Sequence, residues 1–162
     1  MNPVPQEDLD CIERQLGRTP RDVHGIAYRC PCGKPAVVET NPRLADGTPF
    51  PTFYYATCPK LTGAISTLET TGMMGDMNAR LATDAELSGA YSAAHEDYLA
   101  ARAVLKVDVP EIDGITAGGM PDRVKCLHSL VAHSLAAGPD VNPLGDEALA
   151  ALPQWWKNEP CE

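Results

Sequence analysis

The chain predicts an α+β fold: a small antiparallel three-stranded sheet packed against several helices. Three observations carry this reading. Short runs rich in β-branched and aromatic residues are confined to residues 23–57, helical spacing takes over from Pro59, and Gly, Pro or Asp marks the junctions. The 162 residues suffice for one core, and no repeat or low-complexity linker divides them. The expected organisation is a helical extension over 1–19, one α+β domain over 20–150 and a tail over 151–162 that carries Trp155 and Trp156.

Each element has its own warrant. Leu9, Ile12 and Leu16 recur at helical intervals and predict a helix over about 6–17, stopped by Gly17. VHGIAYR (23–29) and PAVVET (35–40) flank the tight CPCGK turn and read as a hairpin. NPRLADGTPFP is a proline-interrupted loop anchored by Leu44 and Phe50, and PTFYYAT (51–57) is the third strand. Leu61, Ile65 and Leu68 then make one helical stripe that Gly72 closes, and a short helix through MMGDMNARLA follows. Thr83 and Glu86 have capping-box spacing before a helix over about 84–105, whose apolar stripe includes Leu87, Tyr91, Ala94 and Tyr98. A late helix is expected to begin at Pro121, after the Gly118-Gly119 turn, and to end at Gly138-Pro139, burying Val124, Leu127, Val131 and Leu135. A short helix at GDEALA (145–150) precedes the tryptophans.

Charge narrows the function classes. Thirteen basic against 22 acidic side chains leave a formal charge of −9, so broad nucleic-acid binding, which needs phosphate-neutralising area, is not expected of this surface. No apolar stretch approaches a membrane span and MNPVPQEDLDC lacks a secretion-signal pattern; a cytoplasmic protein is the expectation. In such a compartment six cysteines, at 11, 30, 32, 58, 126 and 161, are reduced thiols or metal ligands before they are disulfides.

Cys30-Pro31-Cys32-Gly33 places two soft donors in one turn, and Cys58 follows the third strand, which can return beside it. Zinc favours four thiolate or imidazole ligands in a tetrahedral shell, so Cys30, Cys32, Cys58 and Cys126 are the expected zinc set, Cys126 joining from the late helix. Buried thiols that merely pack are the plain alternative. Among the histidines, His128, His133 and His95 are catalytic candidates, each balanced by a reading as a hydrogen-bonded residue at the core's edge. His128 and His133 are five residues apart and lack the four-residue spacing of a zinc-binding HExxH helix. A cysteine nucleophile with a histidine base remains open as a class, yet Cys126-x-His128 would not form it on a regular helix, where the two side chains diverge. Gly118, Gly119, Arg123 and Lys125 at the expected helix start, with Arg43 from the loop, are the candidate anion site, because free N–H groups and a positive helix end attract phosphate. GxSxG and GxGxxG are absent.

RCPCGKPAVVETNPRLADGTPFPTFYYATCPKL, YSAAHEDYLAAR and AGGMPDRVKCLHSLVAHSLAAGPDVNPLGDEAL, in that order, resemble the bacterial family called domain of unknown function 501, over roughly residues 20–150. The resemblance implies a small cytoplasmic bacterial protein without an assigned reaction. The family's genes are often found near those for a septum-formation initiator and an exopolyphosphatase; the resemblance thereby suggests a cell-division or phosphate-related process, without a physical warrant or a catalytic assignment. Three functional readings follow: a protein with a structural zinc site; a metal-dependent small-molecule enzyme acting on a phosphate-containing substrate; and a protein-interaction module linked to cell division that uses the acidic surface and Trp155/Trp156. The partner is accordingly a small anionic ligand or another protein, with no membrane involved.

Overall fold

The computed structural model describes residues 3–157 and 161–162; residues 1–2 of the expected extension and 158–160 of the expected tail lie outside that set. The fold is α+β, as the periodicities require: among the described residues there are six α-helices and a three-stranded antiparallel sheet in the order β1-β2-β3. Helix α1, Gln6–Leu16, carries Glu7 and Asp8 at its positive end and closes on Gly17, whose φ of 72° lets its N–H reach back to the Glu13 carbonyl. Strands β1 (Val23–Arg29) and β2 (Pro35–Thr40) pair around the cysteine turn, with Ile26 opposite Val38. That turn is closed by Gly33 N–H donating to the Cys30 carbonyl and Cys30 N–H to the Lys34 carbonyl, at 2.8 and 2.9 Å.

Strand β3 is only Tyr54–Ala56, shorter than the seven-residue run suggested. Pro51 has no N–H to give a ladder, and its carbonyl instead accepts from the buried Arg102 guanidinium at 3.0 Å. Helix α2, Pro59–Leu68, begins with proline at its first position and with Cys58 as N-cap. Helices α3 (Met73–Thr83) and α4 (Ala85–Ala103) meet at Asp84, whose carboxylate accepts the Leu87 N–H at 3.0 Å. Asp84 therefore takes the cap expected of Thr83, whose hydroxyl contacts the Ala79 carbonyl and stays with α3.

The largest departure is the late helix. Helix α5 spans Leu127–Ala137 and starts six residues after Pro121. The segment before it turns back on itself: N–H groups of Met120, Asp122, Arg123 and Lys125 are spent on the carbonyls of Ala117, Gly119, Gly119 and Gly118, and that of Val124 on Asn78. Gly119, at φ 93°, permits this closeness, because a Cβ there would sit 2.6 Å from the Arg123 carbonyl oxygen. Helix α5 is the hub of the molecule, touching all three strands, α2 and α6 (Pro143–Ala150). Leu127, Leu130, Val131 and Ala132 are fully buried there, and Trp155 and Trp156, edge-on to each other, pack against the same core. No helix among the described residues is long and apolar enough to cross a membrane.

Candidate functional site

The hairpin turn is where chain topology gathers sulfur. Cys30, Cys32 and Cys161 bring their Sγ atoms within 4.8 Å of one another, Cys30 and Cys161 being 3.2 Å apart. Cys58 joins from the start of α2: its sulfur contacts Cys161 and also accepts the Leu61 N–H at 3.5 Å. Cys30, Cys58 and Cys161 are buried, and Cys32 is half-buried. All six cysteines are free thiols.

What holds residue 161 there is polar. Gln15 of α1 donates to the Cys161 and Pro35 carbonyls at 2.5 and 2.8 Å and accepts from Thr57 at 2.8 Å. Glu162 pairs with Arg14 at 2.6 Å and Lys34 at 3.2 Å, and hydrogen bonds from these cations pull its carboxyl down to about 2.

The thiols are electrostatically unequal. Burial pushes Cys161 well above the ordinary thiol range, reinforced by the neighbouring Cys30, Cys58 and Cys32 sulfurs. Burial likewise raises Cys30. At Cys32 burial also opposes ionisation, but the N–H groups of Lys34 and Cys161 and the adjoining thiols outweigh it and lower the group. Four crowded sulfurs, each only a weak hydrogen-bond donor, gain little from one another as thiols. A central cation makes the same arrangement favourable: zinc–sulfur bonds of about 2.3 Å in a tetrahedron set sulfurs roughly 3.8 Å apart. The Cys30–Cys32–Cys161 group can hold a metal ion.

Cys126 is not part of this group, which corrects the expected zinc set. Because α5 begins only at Leu127, Cys126 is its N-cap in extended conformation (φ −153°, ψ 124°), facing Glu69 and His128. The residue the sequence reading missed is Cys161: the tail before it has no periodicity to announce that it returns to the hairpin. The six-cysteine count was the only available signal.

The extended N-cap also changes the geometry of Cys126-x-His128. On a continuous helix the side chains would diverge; here the sulfur, a His128 ring nitrogen and a Glu69 oxygen lie within 4.8 Å of one another. Glu69 Oε2 accepts the Leu127 N–H at 2.8 Å and faces His128 Nδ1 at 3.2 Å, while His128 Nε2 is 3.3 Å from the Thr62 carbonyl and from Ser66 Oγ. A carbonyl only accepts, so Nε2 carries hydrogen; a carboxylate only accepts, so Nδ1 does too. The ring is thus held as imidazolium. Hydrogen bonding to Cys126 raises His128 to about 9, against the opposing effect of burial and with help from Glu69. Burial works against ionisation of Cys126, but the His128 hydrogen bond and the Ser129 N–H overcome it and lower the thiol.

The other candidates are engaged internally. His133 is fully buried, with Nε2 2.9 Å from Asp97 and Nδ1 3.2 Å from the Asn142 amide, and its ring stacks on Tyr54. Burial lowers it below the ordinary imidazole value despite Asp97. His95 Nδ1 is 2.9 Å from the Thr116 hydroxyl, also buried. The expected anion site is not assembled: Arg43 forks onto Glu111 at 2.8 and 3.1 Å, and the Gly118-Gly119 segment, with Arg123 and Lys125, is a self-bonded turn and not a helix start with free N–H groups.

Comparison with curated proteins and with solved structures returned no match. The sequence pattern of one family does match, over residues 26–150, covering the hairpin from Ile26 onward, Cys58 and the whole of α2 to α6 but not Cys161. On that match the chain belongs to the DUF501 family, described as protein of unknown function.

Proposed function

We propose that this chain is a zinc-stapled structural protein of a reducing, cytoplasmic compartment, in which one zinc ion is held by Cys30, Cys32 and Cys161 with Cys58 as fourth ligand. The observation that carries the reading is the convergence of three sulfurs from residues 30–32 and 161 within 4.8 Å, in a buried setting beside a fourth. Zinc would replace thiol protons, relieve repulsion among thiolates and tie the hairpin, the start of α2 and residue 161 into one unit. Ligands so distant in sequence disperse on unfolding, so metal binding contributes directly to folding free energy. A closed four-sulfur shell leaves no position for water activation, which favours a structural over a catalytic metal.

The test is elemental mass spectrometry on tag-free protein purified without chelator, with thermal melting alongside. Near-stoichiometric zinc that is lost in both Cys32→Ser and Cys161→Ser, with a lowered melting temperature, is the expected result; Cys126→Ser should keep its zinc. Metal-free folded wild-type protein, or full zinc retention in Cys161→Ser, overturns the assignment.

A further inference from the structure

The second sulfur site has a different character from the first, and the zinc reading leaves it unused. Cys126 and His128 line an open cleft of about 460 Å³ that runs along β3. Tyr54, Tyr55, Ala56, Thr57, Thr62 and Ser129 form its walls, and among its lining residues there is no lysine, arginine or carboxylate. Glu69 is absent from the lining and stands behind His128. The arrangement is therefore layered: a half-exposed sulfur at the cleft, an imidazole beside it, and a carboxylate that touches imidazole and backbone but not the cleft.

We propose that Cys126 is the nucleophile of an acyl-transfer site, with His128 as its proton partner, Glu69 as the positioning residue and the β3 cleft as the seat of an uncharged acyl group. Four features point to an acyl donor. The sulfur sits at the N-terminus of the 11-residue helix α5, whose positive end favours a developing oxyanion. The imidazole is held by Glu69 and Thr62, the arrangement that lets it give and retake one proton. The walls are neutral, so the bound portion is uncharged, and a phosphate ester finds no cation there besides His128. Burial opposes ionisation of the sulfur, but of the titratable groups facing it, His128 loosens its hold on the proton through a hydrogen bond and its charge, and outweighs the opposing charge of Glu69.

The chemistry closes without a cofactor. The Cys126 thiolate adds to the carbonyl carbon of an ester or thioester, forming a C–S bond and an oxyanion. Collapse breaks the bond to the leaving group, which departs with its electron pair and takes the proton of the His128 imidazolium. Water then attacks the S-acyl cysteine and gives a proton to the now neutral His128. The C–S bond breaks with its pair returning to sulfur, which releases the acid and restores the thiolate–imidazolium pair.

The test uses the full chain and p-nitrophenyl butyrate. Intact-protein and peptide mass spectrometry should find one butyryl group on Cys126, accompanied by a burst of nitrophenolate, and Cys126→Ser should show neither. His128→Asn should acylate about 100-fold more slowly at pH 7, its residual rate rising with pH as that of an ordinary thiol. Circular dichroism and a cooperative thermal unfolding transition establish that the variant is folded. If His128→Asn does not fold, the wild-type alkylation profile with iodoacetamide decides: a rate at Cys126 already near its plateau at pH 7 supports the site. Acyl groups on Cys32 or scattered over the thiols overturn it. So does an unchanged rate in folded His128→Asn, or a Cys126 that reacts only after chelator removes a metal from it. Each of these outcomes is independent of whether Cys30, Cys32 and Cys161 hold zinc.

Discussion

Substituting Gly145 by alanine tests the packing that positions α5, and with it Cys126 and His133. A Cβ on Gly145 would lie 2.3 Å from both the Leu130 carbonyl oxygen and Ser134 Oγ, and 2.9 Å from the Leu130 carbonyl carbon. Ordinary contact begins at 3.4 Å, so α6 must retreat by about an ångström, and two of the three atoms in its way belong to backbone that cannot swing aside. Overpacking of this kind costs typically 1–3 kcal/mol. Retreat also strains the Asn142 cap, whose carboxamide accepts the Gly145 N–H at 2.9 Å and contacts His133 at 3.2 Å; weakening one such buried bond adds about 1 kcal/mol. Alanine returns up to about 1 kcal/mol through helix propensity. The net expectation is a loss of about 2 kcal/mol, read as a fall in melting temperature of about 4–8 °C. Gly63→Ala is the matched control: it lies in α2 with nothing within 4 Å of the added carbon, so it should gain up to about 1 kcal/mol. Thermal unfolding of the three proteins by circular dichroism gives the comparison. A Gly145→Ala protein as stable as Gly63→Ala would refute the close approach of α5 and α6.

Three further outcomes follow from the core and the imidazoles. Tyr98→Phe removes the hydroxyl that accepts the Tyr54 N–H at 3.1 Å in the buried aromatic cluster; it should cost about 1–3 kcal/mol in denaturant unfolding, and an unchanged midpoint would place that N–H elsewhere. In an NMR titration His128 should lose its proton only near pH 9, whereas His133 should take one up only below the ordinary imidazole value; the reverse order would undo both site descriptions. The stability consequences run in opposite senses. His128, raised on folding, stabilises fully below pH 6.5 and loses that contribution as pH climbs through about 9. His133, lowered on folding, contributes above 6.5 and loses it as pH falls, because the unfolded chain then takes up a proton the folded one refuses.

The elements whose signals are local were legible before any coordinates. Gly17 ends α1 and Pro59 opens α2, because a left-handed terminus and a missing N–H act within one turn of chain. The hairpin followed from two β-branched runs around CPCG. Errors arose where a neighbour outside the window decided. Thr83 and Asp84 are both competent caps, and only the departure of the chain from α3 selects Asp84. Pro121 has the right chemistry to start a helix, but Asn78 from α3 and the Gly118 carbonyl take the N–H groups of Val124 and Lys125 first, so the helix waits until Leu127.

The candidate sites divide the same way. Composition and spacing by themselves determined the fold class and the thiol-rich turn at residues 30–33, since these depend on residue type and short-range order, and the resemblance of three long motifs pointed to the family. Which cysteine completes that turn was a matter of tertiary structure alone: Gln15, Arg14 and Lys34 bring residues 161 and 162 back across more than a hundred residues, and no periodicity records such a return. The pairing of Cys126 with His128 was likewise decided by where α5 begins. Two residues apart on a helix they would diverge; with one extended residue at the N-cap they meet, because the backbone turns between them.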